Sequence, residues 1–309
     1  MYKTAPIALF VYDRLDHARR AVESLRSNGL AKDSELFIFS DEARDEKSGN
    51  GVRLVRDYVK TISGFKQVVI NENKSNLGPS RNIIEGVTGI LNRYEKVIVV
   101  EDDLNVSRYF LEFMNDALSK YENEPKVISV CGYMYPIKIR DRETVFLRMT
   151  DCWGWATWKR GWDLFEPDAE KLLGRIRLND MGKKFNMGGS YDFLRILQKQ
   201  TEKKVSSWAI CWYASALLNN KLSLYPAKSL VRNIGLDDSG THCSSSFWFD
   251  TDILQRQVLV SQMPVEEERA VINKLTLFFY MTRLKKILQL INNRIVIKAS
   301  RKDPINNGR

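Results

Sequence analysis

Residues 101–103 read Glu-Asp-Asp, directly after the apolar run Val97-Ile98-Val99-Val100. Three adjacent carboxylates repel one another, so stability alone does not select them at a strand end. A divalent cation relieves that repulsion and accounts for the choice. The plain alternative is a polar strand end followed by a helix cap. Two more charged residues follow apolar runs: Arg14 after 6–12, and Asp41 after 35–40. His242 is one of only two histidines and lies in a Gly/Ser-rich loop. Imidazole suits manganese beside carboxylates, although a lone loop histidine is also an ordinary surface residue.

The elements that must position these groups are legible in the hydrophobic pattern. Apolar runs at 6–12, 35–40, 67–71 and 96–100 read as buried strands, and the segments between them as helices. The helix over 46–62 is expected to be interrupted by Gly49 and Gly51. Strand–helix repeats of this kind specify a parallel sheet covered on both faces. Right-handed crossovers place the strand C-terminal ends on one edge, where open α/β sheets bind ligands. Arg14, Asp41 and residues 101–103 therefore converge.

Further along, Ser107 is expected to cap a helix carrying Phe110, Leu111, Met114 and Leu118 inward. Strands are expected at 126–131, 144–149 and 222–225, and an apolar helix over 208–219. Residues 153–162 hold four of the seven tryptophans. They form either a packed aromatic subcore or a platform for a sugar ring, with Trp153 and Trp155 as the acceptor contacts. From Pro264 a long helix is expected, with Glu266, Glu267 and Glu268 in its first turn. Leu277, Met281, Leu284, Leu288 and Ile291 make a stripe beside Arg283, Lys285 and Lys286. Such a basic amphipathic helix suits an anionic membrane surface; docking on the domain or oligomerisation are the alternatives.

At 309 residues the chain fits one large domain or two modest ones. We divide it into a body, 1–263, and a basic amphipathic helical tail, 264–309. The body comprises a nucleotide-binding half, 1–104, and an acceptor-binding half, 105–263. The formal charge is +10, but nine Lys/Arg and no Asp/Glu fall between Arg269 and Lys302, and the remainder is close to neutral. A nucleic-acid binder would spread its basic patch over the body, so no nucleic-acid partner is expected. The four cysteines form no CxxC pair, which implies reduced thiols and no zinc site. No run reaches 18 apolar residues and no signal-peptide layout opens the chain. The expected location is cytoplasmic, peripheral at the inner membrane face.

Together these pieces resemble GT-A glycosyltransferases over about residues 6–245. They are most similar to bacterial family-2-like transferases of surface-polysaccharide clusters and to protein-glycan N-acetylglucosaminyltransferases. The resemblance is carried by Phe10-Val11-Tyr12-Asp13-Arg14, Ser40-Asp41, Val99 through Leu104, Trp153-Gly154-Trp155-Ala156-Thr157-Trp158, and Asn233-Ile234-Gly235 through His242. It implies a Rossmann-like α/β fold with a mostly parallel central sheet flanked by helices. It also implies metal-dependent, inverting transfer of a hexosyl or N-acetylhexosaminyl group from a nucleotide-sugar donor, with UDP-sugars favoured. The acceptor would be a glycan or lipid-linked oligosaccharide. Carried over by position, Arg14, Asp41, Glu101 and Asp102 contact the donor, and Asp103 with His242 holds Mn2+ or Mg2+. Arg81, in the first turn after the third strand, joins the donor-binding candidates. Related sequences carry a general-base aspartate where this chain has Ala209. Asp151 is the first substitute and Asp192 the second. A catalytically impaired carbohydrate-binding protein is the alternative, and a nucleotidylyltransferase a weaker one, because Asp13-Arg14-Leu15-Asp16 contains no glycine.

Overall fold

The apolar runs at 6–12, 35–40 and 96–100 form largely buried strands, whereas the run at 67–71 forms a half-exposed edge strand. In the computed structural model the described residues are 4–235 and 247–300, with Phe247 and 289–300 described by backbone alone. In chain order the first half comprises β1 (Ile7–Val11), α1 (Leu15–Arg26), β2 (Glu35–Ser40), α2 (Glu46–Val59), β3 (Gln67–Glu72), α3 (Pro79–Tyr94) and β4 (Lys96–Glu101). Then come β5 (Leu104–Val106), α4 (Phe110–Lys120), β6 (Val127–Cys131), β7 (Thr144–Leu147), β8 (Trp155–Trp158) and α5 (Lys159–Trp162). The remainder is α6 (Ala169–Leu178), α7 (Gly182–Phe185), α8 (Phe193–Thr201), α9 (Trp208–Leu218), β9 (Leu222–Pro226), β10 (Val231–Asn233) and α10 (Arg269–Ser300).

One eight-stranded sheet, ordered β3-β2-β1-β4-β8-β6-β9-β7, forms the centre, and β5 pairs with β10 separately. The β3-β2-β1-β4 half is wholly parallel. In the other half β8 runs against both β4 and β6, and β7 against β9. The expected α/β class, with helices flanking a Rossmann-like sheet, is the observed one. Successive residues of β1 and β4 serve opposite cores. Ile7, Leu9, Ile98 and Val100 pack with α1, α2 and α4, whereas Ala8, Phe10, Val97 and Val99 pack with α3 and α9. That two-sided burial is the reason these strands read as continuous apolar runs.

Three local expectations are corrected. α2 is continuous across Gly49 and Gly51, opened by a capping box between Asp45 and Ser48. A β-carbon on Gly51 would stand 2.5 Å from the Asp13 carbonyl oxygen, so this glycine lets α2 press against the turn that carries Arg14. Ser107 does not cap α4; Tyr109 occupies that position and donates its amide to the Ser107 hydroxyl. The last helix begins at Arg269 rather than Pro264, because Glu267 and Glu268 are used by tertiary partners. Arg148 grips Glu267 through its backbone amide, Nε and Nη2, and Arg142 pairs with Glu268 at 3.2 Å. Phe146 bridges Glu267, so this segment covers the edge strand β7. Val271, Leu275 and Phe279 then pack into the main core.

Candidate active site

Every strand that points the same way as β1 ends at one edge. β4 ends in Glu101, followed by Asp102 and Asp103. β1 leads to Arg14, and β2 leads to Asp41. Because β8 is antiparallel to β4, its N-terminal approach, Asp151–Trp153, reaches the same edge: Trp155 pairs with both Val99 and Cys131.

Arg14 bridges two of the three crowded carboxylates, its Nη2 lying 2.7 Å from Asp102 Oδ1 and 3.0 Å from Asp103 Oδ2. Asp102 is 4% exposed and also accepts the Tyr12 amide at 3.1 Å. Burial pushes its carboxyl upward and Arg14 pulls it back. Burial also acts against the Arg14 guanidinium, but the two carboxylates outweigh it and keep it charged. Its Nη1 is buried without a hydrogen-bond partner among the described residues, a donor left for an anion. Glu101 differs from Asp102 in having no hydrogen bond to its carboxylate among the described residues. Burial, then Asp103 and Asp102, hold that carboxyl well above the usual range. Asp103 keeps Oδ1 free of hydrogen bonds among the described residues. A β-carbon on Gly235 would stand 2.7 Å from Asp103 Oδ2 and 3.0 Å from Arg14 Nη1. Only glycine allows the backbone after β10 to close so tightly on this pair. His242 lies outside the described residues.

Among the described residues no group of three His, Cys, Asp or Glu side chains is disposed to hold a metal ion. Asp103 is near enough to Glu101 to raise the cost of charging it. That suits Mg2+ or Mn2+ bound through one or two carboxylates, with phosphate oxygens and water completing the shell.

Asp41 is 4% exposed and saturated. Oδ1 accepts Glu42 N at 3.0 Å, Asn73 Nδ2 at 2.9 Å and Leu77 N at 3.0 Å, and Oδ2 accepts Asn76 Nδ2 at 3.2 Å and Gly78 N at 2.8 Å. It therefore ties the β3–α3 loop to β2. Arg56, missed in the sequence, completes the tie through the carbonyls of Asp41 and Asn73 and the Glu42 carboxylate. Arg81 sits at the start of α3, exposed and paired with Glu85 at 2.6 Å.

Asp151 accepts the Tyr135 hydroxyl and the Trp153 amide, each at 3.0 Å, and burial pushes its carboxyl up to about 6. Trp153, partly exposed, packs edge-on to Tyr133 at 4.6 Å and faces Phe249 at 6.5 Å. Tyr135 is the second missed residue. Its signal was its place in Gly132-Tyr133-Met134-Tyr135-Pro136, just beyond the end of β6.

Two candidates are corrected. Trp155 is 0% exposed and packed among Trp162, Trp208 and Trp212, so it belongs to the subcore and reaches no sugar. Asp192 is exposed and caps α8 through the Arg195 amide, and no contact among the described residues joins it to the edge cluster. Ala209 sits in the first turn of α9, whose approach is tied to α3 by the Ser206–Ser80 hydroxyl pair at 2.9 Å.

No protein-family model matches the chain, and no curated protein matches it. Among solved structures, the mannosyltransferase PcManGT from Pyrobaculum calidifontis, in complex with GDP-Man and Mn2+, is similar over 71% of this chain and 70% of that chain. The identity is 12% and the TM-score 0.38.

Proposed function

We propose that the chain is a metal-dependent, inverting GT-A glycosyltransferase that uses a nucleoside-diphosphate sugar, with UDP-sugars favoured. It moves a hexosyl or N-acetylhexosaminyl group to a lipid-linked glycan acceptor in bacterial surface-polysaccharide synthesis. The protein works in the cytoplasm, peripheral to the inner membrane face. The observation that carries the reading is the convergence of Glu101, Asp103 and the orphaned Arg14 Nη1 on one sheet edge. Crowded carboxylates and a buried cation with a spare donor fit a cation and a diphosphate together.

In this reading Asp103 and Glu101 hold Mn2+ or Mg2+, and His242 completes the set. The ion, when bound, neutralises charge on the departing nucleoside diphosphate. Arg14 donates to a diphosphate oxygen, Asp102 holds Arg14 in place, and Asp41 and Arg81 shape the nucleotide side. Trp153 packs against the acceptor sugar. Asp151 takes the proton from the acceptor hydroxyl as its oxygen bonds the anomeric carbon and the bond to the diphosphate breaks. A carboxyl near 6 is ionised at neutral pH and remains a competent base.

Release of UDP or GDP from a panel of nucleotide sugars, with and without Mn2+, tests this directly. Release is expected only with metal and falls by about a hundredfold or more in Asp103→Ala. Equal release by that variant would remove the metal assignment. Ala209 supports a second reading, a glycan-binding protein without turnover; glycan binding with no release from any donor would select it.

A further inference from the structure

The helix α10 has two apolar faces, and the described residues cover only one. Val271, Leu275 and Phe279, spaced four apart, are 2%, 0% and 1% exposed. Phe278 and Phe279 pack on Tyr135, with ring centroids 5.9 and 5.1 Å away. Leu277, Met281, Leu284 and Leu288 are 61%, 45%, 50% and 52% exposed. At about 100° per residue the two sets face opposite ways. Tyr280 and Ile287, 45% and 46% exposed, widen the outer stripe. Isolated exposed leucines are ordinary, but a continuous stripe over three turns marks an interaction surface.

Charge selects the occupant. Arg283 and Lys285 border the stripe on its two sides, and no Asp or Glu occurs between Arg269 and Lys302. A second copy seated on this face would set cations against cations. An anionic bilayer supplies apolar depth and negative headgroups together. No helix among the described residues is long and apolar enough to cross a membrane, so the surface is one of lateral seating.

We infer that α10 lies in the plane of an anionic phospholipid surface, with Leu277, Met281, Leu284 and Leu288 among the acyl chains and Arg283 and Lys285 at the headgroups. This rests on, and extends, the lipid-linked acceptor proposed above. The inner face of the same helix holds Tyr135, which donates to Asp151, so the bilayer and the acceptor side of the site lie on opposite faces of one helix.

Vesicle flotation of the full chain, without any nucleotide sugar, tests the surface. Binding is expected to phosphatidylcholine vesicles containing about one-third phosphatidylglycerol. It should weaken about tenfold or more in the variant carrying Leu277→Gln, Met281→Gln, Leu284→Gln and Leu288→Gln, at unchanged Tm. Arg283→Glu should weaken binding to anionic vesicles alone. A wild-type chain that does not float, or a quadruple variant that floats equally, overturns the inference. A wild-type dimer dispersed by the quadruple variant also overturns it, in favour of a second copy. Donor release onto a soluble acceptor is measured separately: flotation with no release from any donor would sink the transferase reading and leave the surface standing.

Discussion

The carboxylates beyond β2 and β4 flank the same strand, β1, yet they live in opposite conditions. Asp41 accepts five donors and has no lone pair to spare. Glu101 has no hydrogen-bond partner among the described residues, and burial with its acidic neighbours raises its carboxyl above the ordinary range. A saturated carboxylate is architecture, whereas a desolvated and unpaired one costs stability that only a ligand recovers. Along one sheet edge, therefore, Asp41 fastens the loop before α3, whereas Glu101 makes no hydrogen bond through its carboxylate among the described residues.

The largest effect that could break this contrast is Asp41→Ala. It strands three amides and two asparagine side chains, and it should cost about 3 kcal/mol or more, a Tm drop of roughly 5–10 °C by calorimetry. A near-neutral result would mean that Asp41 is free for a ligand. Glu101→Gln should act in the other direction. A carboxyl raised above its ordinary value loses folding stability as pH climbs from the carboxylate range through the raised value. The glutamine flattens that slope, raises Tm at pH 8, and abolishes the further rise produced by Mn2+. An unchanged Mn2+ effect would dismiss Glu101 as a ligand. The smallest effect belongs to Asp151→Asn, which removes a carboxyl lifted from 3.8 to about 6. The wild type loses stability between those values as pH rises, so the variant should gain about 1–3 kcal/mol at pH 8 in denaturant titration. Under the proposed function it should also lose transfer while retaining donor binding.

The parallel half of the sheet and the convergence of Arg14, Asp41 and residues 101–103 on one edge were legible because the central strands are continuous apolar runs followed by charged residues. The second half was less so. β8 is four residues long and embedded in tryptophans, and its direction is set by pairing with β4 and β6, which no local pattern encodes. Trp155 and Trp153 are two residues apart, a spacing that a continuous strand would place on one face; Trp153 lies outside β8, beyond Gly154 with its φ of +63°, so one is buried and the other partly open, and composition alone kept both as sugar contacts. Asp192 carried the right chemical group, but it is spent on a helix cap. The tail was legible as a helix, but its start was not. The glutamates that resemble a first turn are claimed by Arg148 and Arg142, more than a hundred residues earlier in the chain.

The backward run of β8 has a further consequence. Since its neighbours β4 and β6 deliver their outgoing ends to the functional edge, β8 delivers its incoming one. The positions of 149–153 other than Asp151 can therefore change while the register of the sheet holds. Under the proposed function, changes there would act on the acceptor side and leave the nucleotide side untouched, so the two preferences would sit on separate loops.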